Sequence, residues 1–169
     1  MIRKKKNYSK PRRLYDKARI EEENKLLEKY GLKSKREIWK AEFAIAKIRR
    51  QAKDLITASE EKKQVLLSKL NNQGFKVTNI AEVLALDKED WLKRRLQSLI
   101  IAKDYKPKDA RQLITHKHVA VDNKKVNVPG RIILVNEEDK IKVLIARKVP
   151  KPGEKPNEAM EIMEVKDGE

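Results

Sequence analysis

The apolar residues of this chain keep a helical spacing as far as Thr115 and alternate from Val119 onward, and that change restricts the fold to a helical part followed by a small sheet-containing part. Before Asp87 the apolar positions recur three and four residues apart, the period of one helix face. Leu14, Ile20, Leu26 and Leu27 mark a first helix, with Ser9 placed to cap it, Pro11 suited to its first turn and Gly31 to its end. A second helix begins near Ser34, a candidate N-cap with Glu37 three residues on, the capping-box spacing. It carries Ile38, Trp39, Ala41, Phe43, Ala44, Ile45, Ile48, Ala52, Leu55 and Ile56, a stripe wide enough to pack on two neighbours. A third covers about 59–70 with Val65, Leu66, Leu67 and Leu70 inward, and residues 71–74 end it. Val83, Leu84 and Leu86 then form a short amphipathic piece.

Beyond Asp87 two short helices are predicted, about 88–102 and 107–115, after which apolar residues alternate. Val119 pairs with Val121, Val126 with Val128, Ile133 with Val135, and Ile141, Val143 and Ile145 close the series. Period two, interrupted by Asp122-Asn123, Pro129-Gly130 and residues 136–139, predicts a small, half-buried antiparallel sheet. The fold class is therefore α+β, a helical N-terminal part followed by a helix-helix-antiparallel-sheet module. The expected divisions are a basic arm over 1–10, a helical domain over 11–86, the module over 87–147 and an acidic tail with Pro and Gly over 148–169.

Charge decides the partner class. Lys and Arg number 42 against 26 Asp and Glu, a formal net charge of +16 that repels itself in the compact state. A polyanion relieves that repulsion, and nucleic acid does so with the added gain of counterion release. An anionic membrane surface is the competing partner, but the basic runs lack the Trp/Phe-rich stripe that would insert. No apolar run approaches the ~20 residues needed to span a bilayer. The excess is concentrated early: residues 1–20 hold nine bases against Asp16 alone. Such a segment buries too little to fold by itself and reads as an arm. Residues 1–6 are basic with no apolar region following, which argues against a secretory signal. Absence of cysteine removes disulfides, thiolate zinc sites and cysteine nucleophiles, and fits a reducing, cytoplasmic setting.

Candidate contact residues converge between 92 and 129. Leu92, Leu96, Leu99 and Ile100 form the core stripe of one helix, with Arg94 and Arg95 off it and Lys103 continuing toward the loop. On the next helix Ala110, Leu113 and Ile114 point inward, while Lys108, Arg111 and Thr115 stand at i, i+3 and i+7 as a solvent-facing row. His116-Lys117-His118 ends that helix. Aromatics make up 5% of the chain, so phosphate clamping and shape reading are expected rather than base stacking.

This stretch resembles the RNA-binding module of the S-four family. The matching residues are Arg95-Leu96, Lys106-Pro107-Lys108, Ala110-Arg111-Gln112-Leu113-Ile114, His116-Lys117-His118, Val119 to Asn123 and Val126-Asn127-Val128-Pro129. Gln97 stands where the family commonly has Asp, and Lys117 or Asn123 replaces the turn Gly. Pro11-Arg12-Arg13, Tyr30-Gly31-Leu32, Lys35-Arg36-Glu37-Ile38-Trp39 and Ile48-Arg49-Arg50-Gln51-Ala52 look like the N-terminal region of archaeal and eukaryotic small-subunit ribosomal proteins of that family. The resemblance implies a primary binder of small-subunit, 16S-type rRNA that sits beside other ribosomal proteins, nucleates assembly of the subunit body and supports translational accuracy. The candidate rRNA contacts are Arg12, Arg13, Lys35, Arg36, Arg49, Arg50, Arg94, Arg95, Lys103, Lys106, Lys108, Arg111, Gln112, Thr115, His116, Lys117, His118 and Asn123. Replacing Arg95 and Arg111 together by Glu is expected to weaken rRNA binding and leave the fold intact.

No enzyme is read in the sequence, and no cofactor, small-molecule substrate or metal is expected. The five glycines are too dispersed for a phosphate loop. His116 and His118 lack a third ligand nearby. Glu21, Glu22 and Glu23 take three successive helical directions, and Glu137, Glu138 and Asp139 fall in a predicted turn. Trp39 and Trp91 are expected to pack in the core with partners for their indole N–H groups. Two rivals remain: an RNA-modifying enzyme anchored by the module, and a free-standing chaperone of ribosomal particles. Assays of pseudouridine or methyl transfer address the first, and co-sedimentation with washed small subunits addresses the second.

Overall fold

The computed structural model describes residues 6–144. The expected tail over 148–169, Ile145 and the first five residues of the arm lie outside them. Eight helices and three strands are described: α1 Lys17–Tyr30, α2 Lys35–Asp54, α3 Glu60–Asn72, α4 Ile80–Ala85, α5 Lys88–Lys93, α6 Leu96–Ile101, α7 Pro107–Thr115, β1 Val119–Val121, β2 Lys124–Lys125, α8 Val135–Glu138 and β3 Ile141–Val143. The strands form one antiparallel sheet in the order β2-β1-β3, so the fold is α+β with the helices first.

Burial follows the two periods. Leu26, Tyr30, Ile38, Ala41 and Leu92 close one cluster between α1, α2 and α5. Ala52, Leu66, Leu70, Phe75, Val77 and Val83 close a second beneath α3 and α4. Trp91 touches both and stacks on Phe75 at 5.9 Å. The third cluster joins Leu96, Ile100, Ala110, Leu113 and Ile114 to Val119, Val121, Val126, Ile133 and Ile141. Leu92 thus packs with the helical half although it follows Asp87, and the packing divides at Arg94–Arg95.

Several local expectations are corrected. Helix α1 begins at Lys17 rather than near Pro11; Leu14 and Tyr15 are exposed, and a turn there would set Arg12 and Arg13 at the positive end of the helix dipole. Val65 is 69% exposed, leaving Leu66, Leu67 and Leu70 as the inward residues of α3. The helix expected over 88–102 breaks at Arg94–Arg95, because the chain at 131–133 runs alongside: Leu96 N donates to Arg131 O at 2.8 Å and Ile133 N to Arg94 O at 3.2 Å. That pairing replaces the strand expected at Ile133 and Val135, since α8 begins at Val135. Val128 is exposed outside any strand.

Trp39 donates its indole N–H to Glu23 Oε1 at 3.0 Å. Glu23 is 2% exposed and also meets Arg19 and Lys35, each at 3.4 Å, so one of three consecutive glutamates pins α1 to the start of α2. No helix among the described residues is long and apolar enough to cross a membrane.

Candidate nucleic-acid interface

The α5–α6 break turns two adjacent arginines inward in opposite directions. Arg94 donates from Nε to Gln73 O at 2.9 Å, from Nη2 to Ile133 O at 3.2 Å and from Nη1 to Glu138 Oε2 at 3.0 Å. Gly74 makes room for it: a Cβ there would lie 2.3 Å from Arg94 Cζ, and the backbone φ of +84° favours glycine as well. Arg95 is 5% exposed and its guanidinium bonds Glu37. Both side chains therefore tie the helical part to the module.

Glu37 gathers a second arginine. Arg111 Nη2 donates to Glu37 Oε1 at 2.9 Å, and Arg111 Nη1 reaches Gln97 Oε1 at 3.3 Å. Gln97 is fully buried and donates its amide to Gly31 O at 2.8 Å and Pro107 O at 3.1 Å. Burial alone would raise the Glu37 carboxyl, but hydrogen bonds from Arg111 and Arg95 outweigh it and hold the group below its usual range. The capping-box role expected of Glu37 is not made. Ser34 occupies the N-cap of α2, and the Glu37 carboxylate points across the seam between the two parts.

These contacts correct the expectation for the motif arginines. Arg94 and Arg95 do not lie free off the core stripe, and Arg111 leaves the outward row of α7. Its place is taken by Gln112, which with Lys108 and Thr115 makes an exposed row at i, i+4 and i+7. Replacing Arg95 and Arg111 by Glu would set two more carboxylates against Glu37, a repulsion that bears on the seam itself.

The residues after α7 keep an outward basic edge through backbone geometry. His116 caps the helix, Lys117 adopts φ +63°, His118 N donates to Leu113 O at 2.9 Å and Lys117 N to Ile114 O at 3.0 Å. This is the Schellman arrangement, with lysine standing where glycine is usual. Rings of His116 and His118 stack at 6.1 Å. Asp122 and Asn123 both have positive φ, 51° and 62°, and connect Val121 to its partner Lys124 in a two-residue hairpin turn. Lys124 and Lys125 on β2 are exposed.

The remaining candidates divide. Lys35 is engaged by Glu23 at 3.4 Å. Arg49 bonds Leu86 O and meets Asp87 at 3.3 Å. Lys103 donates to Ile141 O at 3.1 Å, and Asn123 Oδ1 accepts from Lys142 at 3.4 Å. Arg12, Arg13, Arg36, Arg50, Lys106, Lys108 and Lys117 are exposed and form no salt bridge among the described residues. Lys40, Lys124 and Lys125 share that state and were not among the sequence candidates. The Asp-Asn-Lys-Lys run was a signal for the last two, because a two-residue turn forces the following lysines onto a short, exposed strand.

The S4 domain family matches residues 94–139. The chain is 40% identical over 149 residues to the small ribosomal subunit protein uS4 of Methanoregula boonei, covering 80% of each. It is 42% identical to that of Thermoplasma volcanium, covering 80% of this chain and 74% of the relative. For Korarchaeum cryptofilum the identity is 37%, over 85% and 91% of the two chains.

Proposed function

Since the chain belongs to the family of small ribosomal subunit proteins uS4, we propose that it is a structural, non-enzymatic constituent of the small ribosomal subunit that grips rRNA through its unpaired cations. The observation that carries this reading is the sorting of charge. Glu37 and Glu138 hold the motif arginines, while Lys106, Lys108, Lys117, Lys124 and Lys125 stand exposed on α7, its cap and the hairpin. Arg36 and Lys40, one turn apart on α2, and Arg12 and Arg13 next to the arm are further exposed cations. Gln112, Thr115, His116 and His118 supply further donors and acceptors beside these charges. Such a surface clamps phosphates and 2′-hydroxyls of folded RNA by shape.

In this reading the module orients the protein, and the arm and α2 add phosphate contacts. Joint placement of the two parts would let the protein nucleate assembly of the subunit body and support accurate decoding beside neighbouring ribosomal proteins in the cytoplasm. The divisions 1–10, 11–86, 87–147 and 148–169 serve as its working parts, with the packing seam at Arg94–Arg95. Filter binding to protein-free small-subunit rRNA, against duplex RNA of equal length, tests the grip. Preference for the folded rRNA and retention on washed subunits at near one copy each are expected. Equal affinity for both RNAs, or release during washing, overturns the reading.

A further inference from the structure

We propose that Glu37 is a positioning residue for RNA recognition: it holds the basic row of α2 and the basic row of α7 at one fixed relation, so that a single folded RNA engages both. This rests on the rRNA-binding reading above. Glu37 is the one carboxylate among the described residues shared by two arginines, and both arginines come from the module. Around it on α2 stand Arg36 and Lys40, and beside Arg111 on α7 stand Lys108 and Gln112, all exposed. An acidic residue thus joins two helices that each carry exposed cations, and one carboxylate between two guanidiniums leaves the local charge positive.

The seam at this point is polar. Gln97 spans from Gly31 O to Pro107 O, and a Cβ at Gly31 would lie 2.6 Å from Pro107 Cβ. Apolar packing resists separation but has little directional preference, whereas carboxylate–guanidinium pairs fix direction as well as distance. Orientation therefore depends on the polar pairs. Two surfaces held in the right relation bind as one, with a gain of roughly 10²–10⁴ over either alone.

The test is Glu37→Gln in the full chain. The amide is nearly isosteric, but its NH₂ would face a guanidinium. Because the chain has no cysteine, spin labels can be placed at Gln51→Cys and Asp139→Cys, two exposed sites outside the proposed interface. Pulsed electron resonance should give one narrow distance in the labelled parent and a broadened distribution after Glu37→Gln. Affinity for folded rRNA should fall about tenfold, a partial loss of the joint gain, while affinity for plain duplex stays level or rises. A simple loss of stability would not broaden the distance in molecules that remain helical by circular dichroism. An unchanged distance, or parental affinity for folded rRNA, overturns the proposal. Should Glu37→Gln lose its helical signal, Arg111→Gln is read on the same two measurements and by the same criteria, since it leaves the Arg95–Glu37 pair in place. A parent that shows no preference for folded rRNA would instead sink the functional reading.

Discussion

Arg95→Gln and the pair Lys108→Ala with Lys117→Ala should fail in opposite ways. Arg95 is 5% exposed and paired with Glu37, whose second partner, Arg111, stays in place. Breaking a buried pair costs about 3–5 kcal/mol, and the remaining arginine puts this case near the lower end, about 3 kcal/mol. Set against the 5–15 kcal/mol typical of a whole domain, that loss is large. Lys108 and Lys117 are exposed and make no salt bridge among the described residues, so their removal should change stability by no more than about 0.5 kcal/mol each. Each lysine that meets a phosphate contributes about one unit to the slope of log affinity against log salt, so the double variant should flatten that slope by about two. Urea denaturation and filter binding at several salt concentrations, run on the same preparations, read both quantities. Should Arg95→Gln keep parental stability yet flatten the salt slope, the assignment of this arginine to the frame is wrong. The lysine assignment fails if the double variant keeps the parental slope.

Two further outcomes follow from the same seam. Gly74→Ala would put a Cβ 2.3 Å from Arg94 Cζ at a φ of +84°. The left-handed strain of about 1–2 kcal/mol adds to weakened Arg94 hydrogen bonds, for a total of about 3 kcal/mol in urea denaturation; a loss below about 1 kcal/mol would contradict the packing. The depressed Glu37 carboxyl contributes stability that is fully present above the unfolded-state value of about 4.3 and is lost as pH falls through its lower folded value. Denaturation midpoints from pH 6 down to pH 3 should therefore decline less steeply in Glu37→Gln than in the parent, and parallel curves would count against the linkage.

The sequence pattern revealed the element types and most of their order. Helices α2, α3 and α7 fall close to their expected spans because each carries an apolar stripe, and α2 also has a residue suited to its start, the candidate N-cap Ser34. The Asp122-Asn123 turn was readable for the same reason, a residue type matched to a backbone need. Tertiary competition was not readable. The break at Arg94–Arg95 depends on residues 131–133, which lie close in space but far in sequence, and these also removed the strand expected at Ile133. Glu37 is the sharpest case: its spacing from Ser34 satisfied a local rule, but two arginines 58 and 74 positions away drew its carboxylate across the seam. Residue type alone did not separate a cation that faces solvent from one that spans a junction.

Side-chain chemistry explains why the sorting took this form. A guanidinium presents a planar fork of donors and is weakly hydrated, so one side chain can satisfy a carboxylate and several carbonyls at once, as Arg94 does with Gln73, Ile133 and Glu138. An ammonium is compact and strongly hydrated, and it remains outside unless a carboxylate holds it. The frame at the seam is accordingly built on arginine, and the outward surface of the module on lysine. Salt screens these two populations unequally: exposed charges lose most of their attraction beyond a Debye length of about 8 Å at physiological ionic strength, while buried pairs are screened much less. Moderate salt should therefore release the protein from RNA well before it loosens the seam. An orientation set by Glu37, Arg95 and Arg111 would then persist in the free protein, and rebinding would meet a surface already arranged for its RNA.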